Sequence, residues 1–367
     1  MNNLAVERCE VSETTATSPS KHDSLLRGLV IPACPLALTA ERQLNEQRQR
    51  ALIRYYAEAG AGGLAICVHT TQFEVRDPAI GLYQPLLEVV ADELNQLEAT
   101  SGRSFYRVAG VCGLTSQALA EAQSAADLGY DAALLNLGGL KGQSVEELLN
   151  HCRTIASTIP IFGFYLQEAC GGRPLPFEFW KGLCELPELV GIKIACFNRY
   201  QTLDVLRAVA ASGRDDIALY TGNDDNIVAD LLTPYRFEID GRLVELQITG
   251  GLLGQWAVWT RRAVELLNRC RVIRESGMPI PRDLLRLGAE LTDANQAIFD
   301  ATHGFQGCVP GIHYVLVRQG LLEGNWLLDP DAGLSPGQAG EIERICHGYA
   351  HLSDDNFVRG RLDDWLV

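Results

Sequence analysis

Ile159-Pro-Ile-Phe-Gly-Phe-Tyr165 and Leu189-Val-Gly-Ile-Lys-Ile-Ala195 flank an amphipathic stretch, Pro176–Leu186. Each outer run is apolar almost throughout, as a strand covered on both faces should be. The stretch between has helical periodicity, so the three together read as a β–α–β unit. Working outward, the same alternation continues in both directions. Earlier candidate strands are Gly28–Pro32, Gly63–Val68, Tyr106–Val111 and Asp131–Leu135; later ones are Ile217–Tyr220 and Leu243–Ile248. Helical patterns fill the gaps at Glu41–Ala59, Pro85–Thr100, Ser116–Leu128, Ser144–Thr158, Tyr200–Ser212 and Asn223–Leu232. Thr115/Ser116, and Ser144 followed by Glu146 and Glu147, are N-cap signals. Eight strands alternating with helices give an α/β fold, a (β/α)₈ TIM barrel. A doubly wound open sheet is the alternative. It calls for a glycine-rich phosphate turn after an early strand, and the first turn here is Pro32-Ala-Cys-Pro-Leu-Ala-Leu38.

Residues 235–248 alternate and carry Asp240-Gly241, a strong hairpin signal. They predict an inserted β-hairpin whose second arm runs into the eighth strand. Residues 1–26 read as a flexible tail and 27–254 as the barrel. Residues 255–367 read as a C-terminal helical extension packed on it, with helices near Trp256–Glu275, Pro281–Asp300, Gly311–Gln319 and Pro336–Tyr349.

Among 367 residues, 31 Lys plus Arg against 46 Asp plus Glu leave a net charge of −15. That excludes a general attraction to nucleic acid or anionic membrane. No run approaches the ~20 apolar residues of a membrane helix, and the polar start lacks the pattern of a signal peptide. The 11 cysteines have no CxxC pair or framework spacing, which fits reduced thiols in a cytoplasmic protein.

Lysine is rare, and Lys193 alone lies within an apolar strand. Burial there disfavours the ammonium and leaves a neutral amine, a nucleophile suited to imine chemistry with a carbonyl. The bland alternative is a lysine that snorkels or pairs with a carboxylate. Tyr165 ends the preceding strand and could carry protons at the same barrel mouth, or plug it. His69-Thr70-Thr71-Gln72 follows the second strand and offers hydroxyls and amides to a carboxylate, or ordinary turn chemistry. Thr221-Gly-Asn-Asp-Asp225 is an N-cap signature first and a ligand loop second. His347 and His351 share a helix face but have no third ligand in view, so no metal is expected.

These residues resemble the dihydrodipicolinate synthase / N-acetylneuraminate lyase family across roughly residues 27–345. Glu188–Ala195 resembles the family's "pnivGiKea" strand, and Ile159–Tyr165 resembles its "lPvilYn" strand. Val68–Gln72 is similar to its threonine-threonine turn, and Gly222 falls at the glycine of the seventh-strand loop. The resemblance implies a barrel with a helical extension and no metal or organic cofactor, the covalent imine with Lys193 serving instead. It implies a small 2-oxo acid such as pyruvate as substrate and a homo-oligomer, dimer or tetramer. Lys193, Tyr165 and Thr70 are the implied catalytic residues, and Thr71 the implied carboxylate binder.

The departures from the family concern recognition. His69 and Gln72 replace glycines. Leu135–Lys141 lacks the tyrosine that synthases lend to a neighbouring subunit. Cys170 falls where their arginine sits, and Arg173 is three positions further on. His69, Gln167, Glu168, Asn136 and Arg173 are therefore the candidates for recognising a second substrate. The expected function is a class I (Schiff-base) lyase or aldolase acting on a 2-oxo acid. The alternatives are 4-hydroxy-tetrahydrodipicolinate synthase proper, a sugar-acid dehydratase and a non-catalytic ligand-binding barrel.

Overall fold

The computed structural model describes residues 20–367. The strands are β1 (Val30–Pro32), β2 (Gly63–Ile66), β3 (Tyr106–Val111), β4 (Ala132–Leu135), β5 (Ile161–Leu166), β6 (Leu189–Ala195), β7 (Ala218–Thr221), β8 (Tyr235–Ile239), β9 (Arg242–Leu246) and β10 (Gly250–Leu253). Eight of them form one parallel sheet in the order β1-β10-β7-β6-β5-β4-β3-β2. The ring closes where Ala33 bridges Ala65 and the Cys34 N–H donates to the Ala65 carbonyl at 2.8 Å. Around it run α1 (Lys21–Arg27), α2 (Glu46–Ala59), α3 (Tyr83–Ser101), α4 (Thr115–Asp127), α5 (Val145–Ala156), α6 (Phe177–Leu183), α7 (Arg199–Ser212) and α8 (Ile227–Leu232). The extension contributes α9 (Thr260–Ser276), α10 (Arg282–Ile298), α11 (Cys308–Arg318), α12 (Gln338–Gly348) and α13 (Asp355–Trp365). No helix of the described residues is long and apolar enough to cross a membrane.

The barrel strands bury both faces, which is why their sequences are continuously apolar. Ile31, Ala65, Val108, Phe162, Phe164 and Leu252 fill the interior. Alternate residues, such as Ile161, Tyr165, Ile192 and Ile194, face the helices. Each large aliphatic side chain buried this way contributes roughly 1.5–3 kcal/mol. The predicted cap at Ser144 forms a full capping box with Glu147 at the start of α5.

Two expectations change. The eighth barrel strand is β10, not Leu243–Ile248. β8 and β9 pair only with each other, as a separate antiparallel ribbon. At the hairpin turn, Asp240 and Gly241 both have positive φ, 49° and 74°, as a tight type I′ turn requires. A Cβ on Gly250 would lie 2.7 Å from the backbone of Leu29. Closure next to β1 thus demands glycine, which hides the strand from any β-propensity pattern. The last residues of the expected tail also differ, since Lys21–Arg27 form α1 and put Leu25 under the barrel floor. There the Tyr220 hydroxyl donates to the Leu25 carbonyl and accepts from the Leu29 N–H, at 2.9 and 2.8 Å. Residues 1–19 of that tail lie outside the described residues.

Candidate active site

Lys193 sits on the inward face of β6, at the C-terminal mouth of the barrel where (β/α)₈ enzymes carry out their chemistry. Its side chain is 7% exposed. Room for it comes from Gly222 at the end of β7, where a Cβ would lie 2.8 Å from Lys193 Cε. Among the described residues nothing hydrogen-bonds its amine. Nζ lies 4.5 Å from the centre of the Phe164 ring. Burial lowers the Lys193 pKa to about 8, against the opposing pull of Asp224, Cys170 and Cys308. Lys193 is therefore neither snorkelling to solvent nor salt-bridged. It is a partnerless amine in a small cavity of about 50 Å³.

Phe164, not Tyr165, faces this amine. β5 and β6 pair with Phe164 opposite Lys193 and Tyr165 opposite Ile194. Side chains alternate across a strand, so Tyr165 points into the helix layer. Its ring packs 5.2 Å from Trp180, and its hydroxyl accepts the Leu175 N–H at 3.3 Å. Tyr165 does not line the Lys193 cavity. Counted from Pro160, the tyrosine letter of the "lPvilYn" pattern falls on Phe164.

Of the threonines, Thr70 lines the cavity and Thr71 is buried beside it. Their hydroxyls donate to the carbonyls of Ala33 and Cys34, each at 2.7 Å. This ties the turn to the end of β1. His69 lines the cavity, and burial together with the nearby Lys193 lowers its pKa to about 4, so its imidazole is neutral. Gln72 instead accepts the Leu328 N–H at 2.7 Å, tying the turn to the extension.

Gln167 borders both the cavity and an open outer groove of about 530 Å³. Arg173 and Glu168 line only that groove. Arg173 donates to the carbonyls of Leu140 and Gln143, so it braces the β4–α5 loop rather than facing Lys193. Asn136 is likewise structural: its Oδ1 accepts the Gly138 N–H at 2.9 Å. His351 bonds Glu290 at 2.8 Å and does not line the Lys193 cavity. Among the described residues no group of three or more His, Cys, Asp or Glu is placed to hold a metal ion.

The sequence reading missed several wall residues. Asp224 lies inside the Thr221–Asp225 loop, which the sequence offers as an N-cap signature first. It is buried in the cavity wall with the Gln255 N–H on Oδ1 at 3.0 Å. Burial raises its pKa to about 7 while Lys193 pulls it down. Cys308, Phe299 and Phe305 come from the extension, and no local pattern announces them. The rings of Phe197 and Phe305 meet edge to face at 5.6 Å, on the boundary between cavity and groove. Both have positive φ, 52° and 69°, a strain that needs support from its surroundings.

The site is thus a buried amine at the mouth of an eight-stranded parallel barrel. The dihydrodipicolinate synthetase family profile matches residues 27–233, and the chain belongs to that family. It is 31% identical over 209 residues to a 4-hydroxy-tetrahydrodipicolinate synthase from Cyanothece sp., covering 56% of this chain and 66% of the relative. With the same enzyme from Acaryochloris marina it shares 25% over 264 residues, 69% of this chain and 85% of the relative. The fold is similar to a dihydrodipicolinate synthase from Acinetobacter baumannii complexed with pyruvate. The TM-score there is 0.71 at 17% identity, with 87% of this chain and 98% of the other covered. It is also similar to an N-acetylneuraminate lyase from Fusobacterium nucleatum, with a TM-score of 0.67 at 15% identity over 88% and 99% of the two chains.

Proposed function

We propose that the protein is a class I lyase or aldolase in which Lys193 forms an imine with a small 2-oxo acid, pyruvate being the best fit. The observation that carries this reading is the Lys193 amine itself, desolvated, without a hydrogen-bond partner and facing a cavity. At ~10–15 Å³ per water-sized probe, about 50 Å³ holds a handful of non-hydrogen atoms. That is the scale of a three-carbon keto acid, with the open groove beside it for a larger second substrate. The backbone N–H groups of the turn at Thr70 would hold the carboxylate, and His69 would pack against it. The second substrate would enter by the outer groove, past Gln167 and the Phe197–Phe305 pair. The protonated imine then serves as electron sink for making or breaking a bond at the neighbouring carbon, with no metal or organic cofactor. Residues 27–254 as barrel and 255–367 as extension, a cytoplasmic location and a dimer or tetramer complete the proposal, the assembly by analogy with the family alone.

One observation favours a second reading, a non-catalytic binding barrel: Phe164 presents no hydroxyl to Lys193. Incubation with pyruvate and borohydride separates the two. The lyase reading expects a covalent adduct in wild type and none in Lys193→Ala. The binding reading expects a melting shift with pyruvate and no adduct.

A further inference from the structure

Imine chemistry needs a group that moves protons beside the amine, and the aromatic ring opposite Lys193 cannot do so. The cavity wall holds four other titratable side chains: His69, Cys170, Cys308 and Asp224. The Cys170 sulfur already accepts the Gln167 side-chain amide at 3.4 Å, and Cys308, buried beside Cys170, is held as a neutral thiol with its pKa well above the usual range. His69 is a neutral base, so accepting a proton would place a second cation next to the iminium. Asp224 has the opposite electrostatics, because taking a proton neutralises its carboxylate. Its Oδ1 is anchored by the Gln255 N–H at 3.0 Å, and the Asn295 side-chain amide donates to the main-chain carbonyl of Asp224 at 2.7 Å. No described residue bonds Oδ2, which leaves that oxygen free for the cavity. Asp224 thus sits on a loop held at two points, in the same small cavity as the amine.

We propose that Asp224 is the proton-transferring residue of this site. This rests on the Schiff-base reading of Lys193. The amine adds to the keto carbon, and the carbinolamine takes up one proton from solvent and loses water, which leaves an iminium. The Asp224 carboxylate then takes a proton from the carbon next to it. The C–H electron pair becomes the enamine double bond, and the iminium π pair returns to nitrogen. Asp224, now protonated, gives the proton back when the enamine carbon is protonated or joined to an acceptor. A carboxyl group whose pKa is raised by burial suits transfer in both directions near neutral pH.

The test is exchange of the pyruvate methyl protons in D₂O, followed by NMR, alongside borohydride trapping on the same samples. Wild type is expected to exchange and to trap. Asp224→Asn is expected to trap within about threefold of wild type, since losing the carboxylate leaves more of the amine neutral. Its exchange should fall by ~10²–10⁴, the usual contribution of a positioned acid–base group. Asp224→Glu keeps a carboxyl and is expected to exchange at least about tenfold above the Lys193→Ala background. Wild-type exchange in Asp224→Asn, an equal loss of trapping and exchange in it, or Asp224→Glu at background overturns the proposal. Absence of an adduct in wild type removes the Schiff-base reading beneath it. An adduct with unchanged exchange in Asp224→Asn removes only the role of Asp224.

Discussion

Replacing Gly222 by alanine puts a methyl group where the barrel has no space for one. Its Cβ would lie 2.7 Å from Ala195 Cβ, 2.8 Å from Lys193 Cε and 3.1 Å from Lys193 Cγ, against 3.4–4 Å for ordinary contact. Ala195 Cβ is fixed to the β6 backbone and cannot retreat, so β7 must shift and the lysine stem must swing away. Overpacking of this kind costs roughly 1–3 kcal/mol, and a clash with a backbone-fixed atom argues for the upper half of that range. At ~2.1 cal/mol/K per residue, 367 residues give an unfolding entropy near 0.8 kcal/mol/K, so ~2.5 kcal/mol lowers Tm by about 3 °C. A reacting atom displaced by about an ångström costs ~10²-fold in rate, and the pyruvate-trapping rate should fall by about that factor. Gly139→Ala is the control, because a Cβ there meets nothing within 4 Å. Calorimetry and timed borohydride quenching check both numbers. If Gly222→Ala traps within about threefold of wild type and melts with it, the packing of Lys193 described here is wrong.

Tyr165→Phe should trap pyruvate as wild type does and lose only the hydrogen bond from Leu175, about 0.5–1.5 kcal/mol by denaturant titration. Lys193 is held below its ordinary pKa of 10.5, so between about 8 and 10.5 the unfolded chain binds the extra proton and stability rises with pH. The stability of wild type relative to Lys193→Met, a difference in which the buried thiols and tyrosines common to both cancel, should rise with pH over that range by chemical denaturation, and the trapping rate should climb as pH approaches 8. Phe305→Ala removes one ring of the pair between cavity and groove. It should raise trapping of 2-oxobutyrate relative to pyruvate by ~10-fold, the scale of one methylene in a shaped pocket. Arg173→Ala should cost about 1–3 kcal/mol by freeing the β4–α5 loop while leaving the pyruvate concentration dependence unchanged.

The buried position of Lys193 was legible because it is a lone lysine inside an apolar run. The barrel was legible because strands buried on both faces read as apolar runs, and Asp240-Gly241 announced the hairpin through its two positive φ angles. Tyr165 was misplaced by one residue, which in a strand changes the face. Only the pairing of Phe164 with Lys193 fixes which side chain meets the amine. β10 escaped because strand closure against Leu29 required Gly250, which carries no side-chain pattern. Phe305 and Cys308 reach the cavity through tertiary packing of the extension. Their distance in sequence from β6 leaves no local trace.

The most direct measurement of the central claim is intact-mass and peptide mapping of the wild-type protein after incubation with pyruvate and borohydride, with Lys193→Ala beside it. The account predicts one reduced pyruvate adduct, on the peptide containing Lys193, and no adduct in the variant. An adduct on another lysine, or none with pyruvate and a panel of 2-oxo acids, would contradict it and leave a binding barrel as the better description.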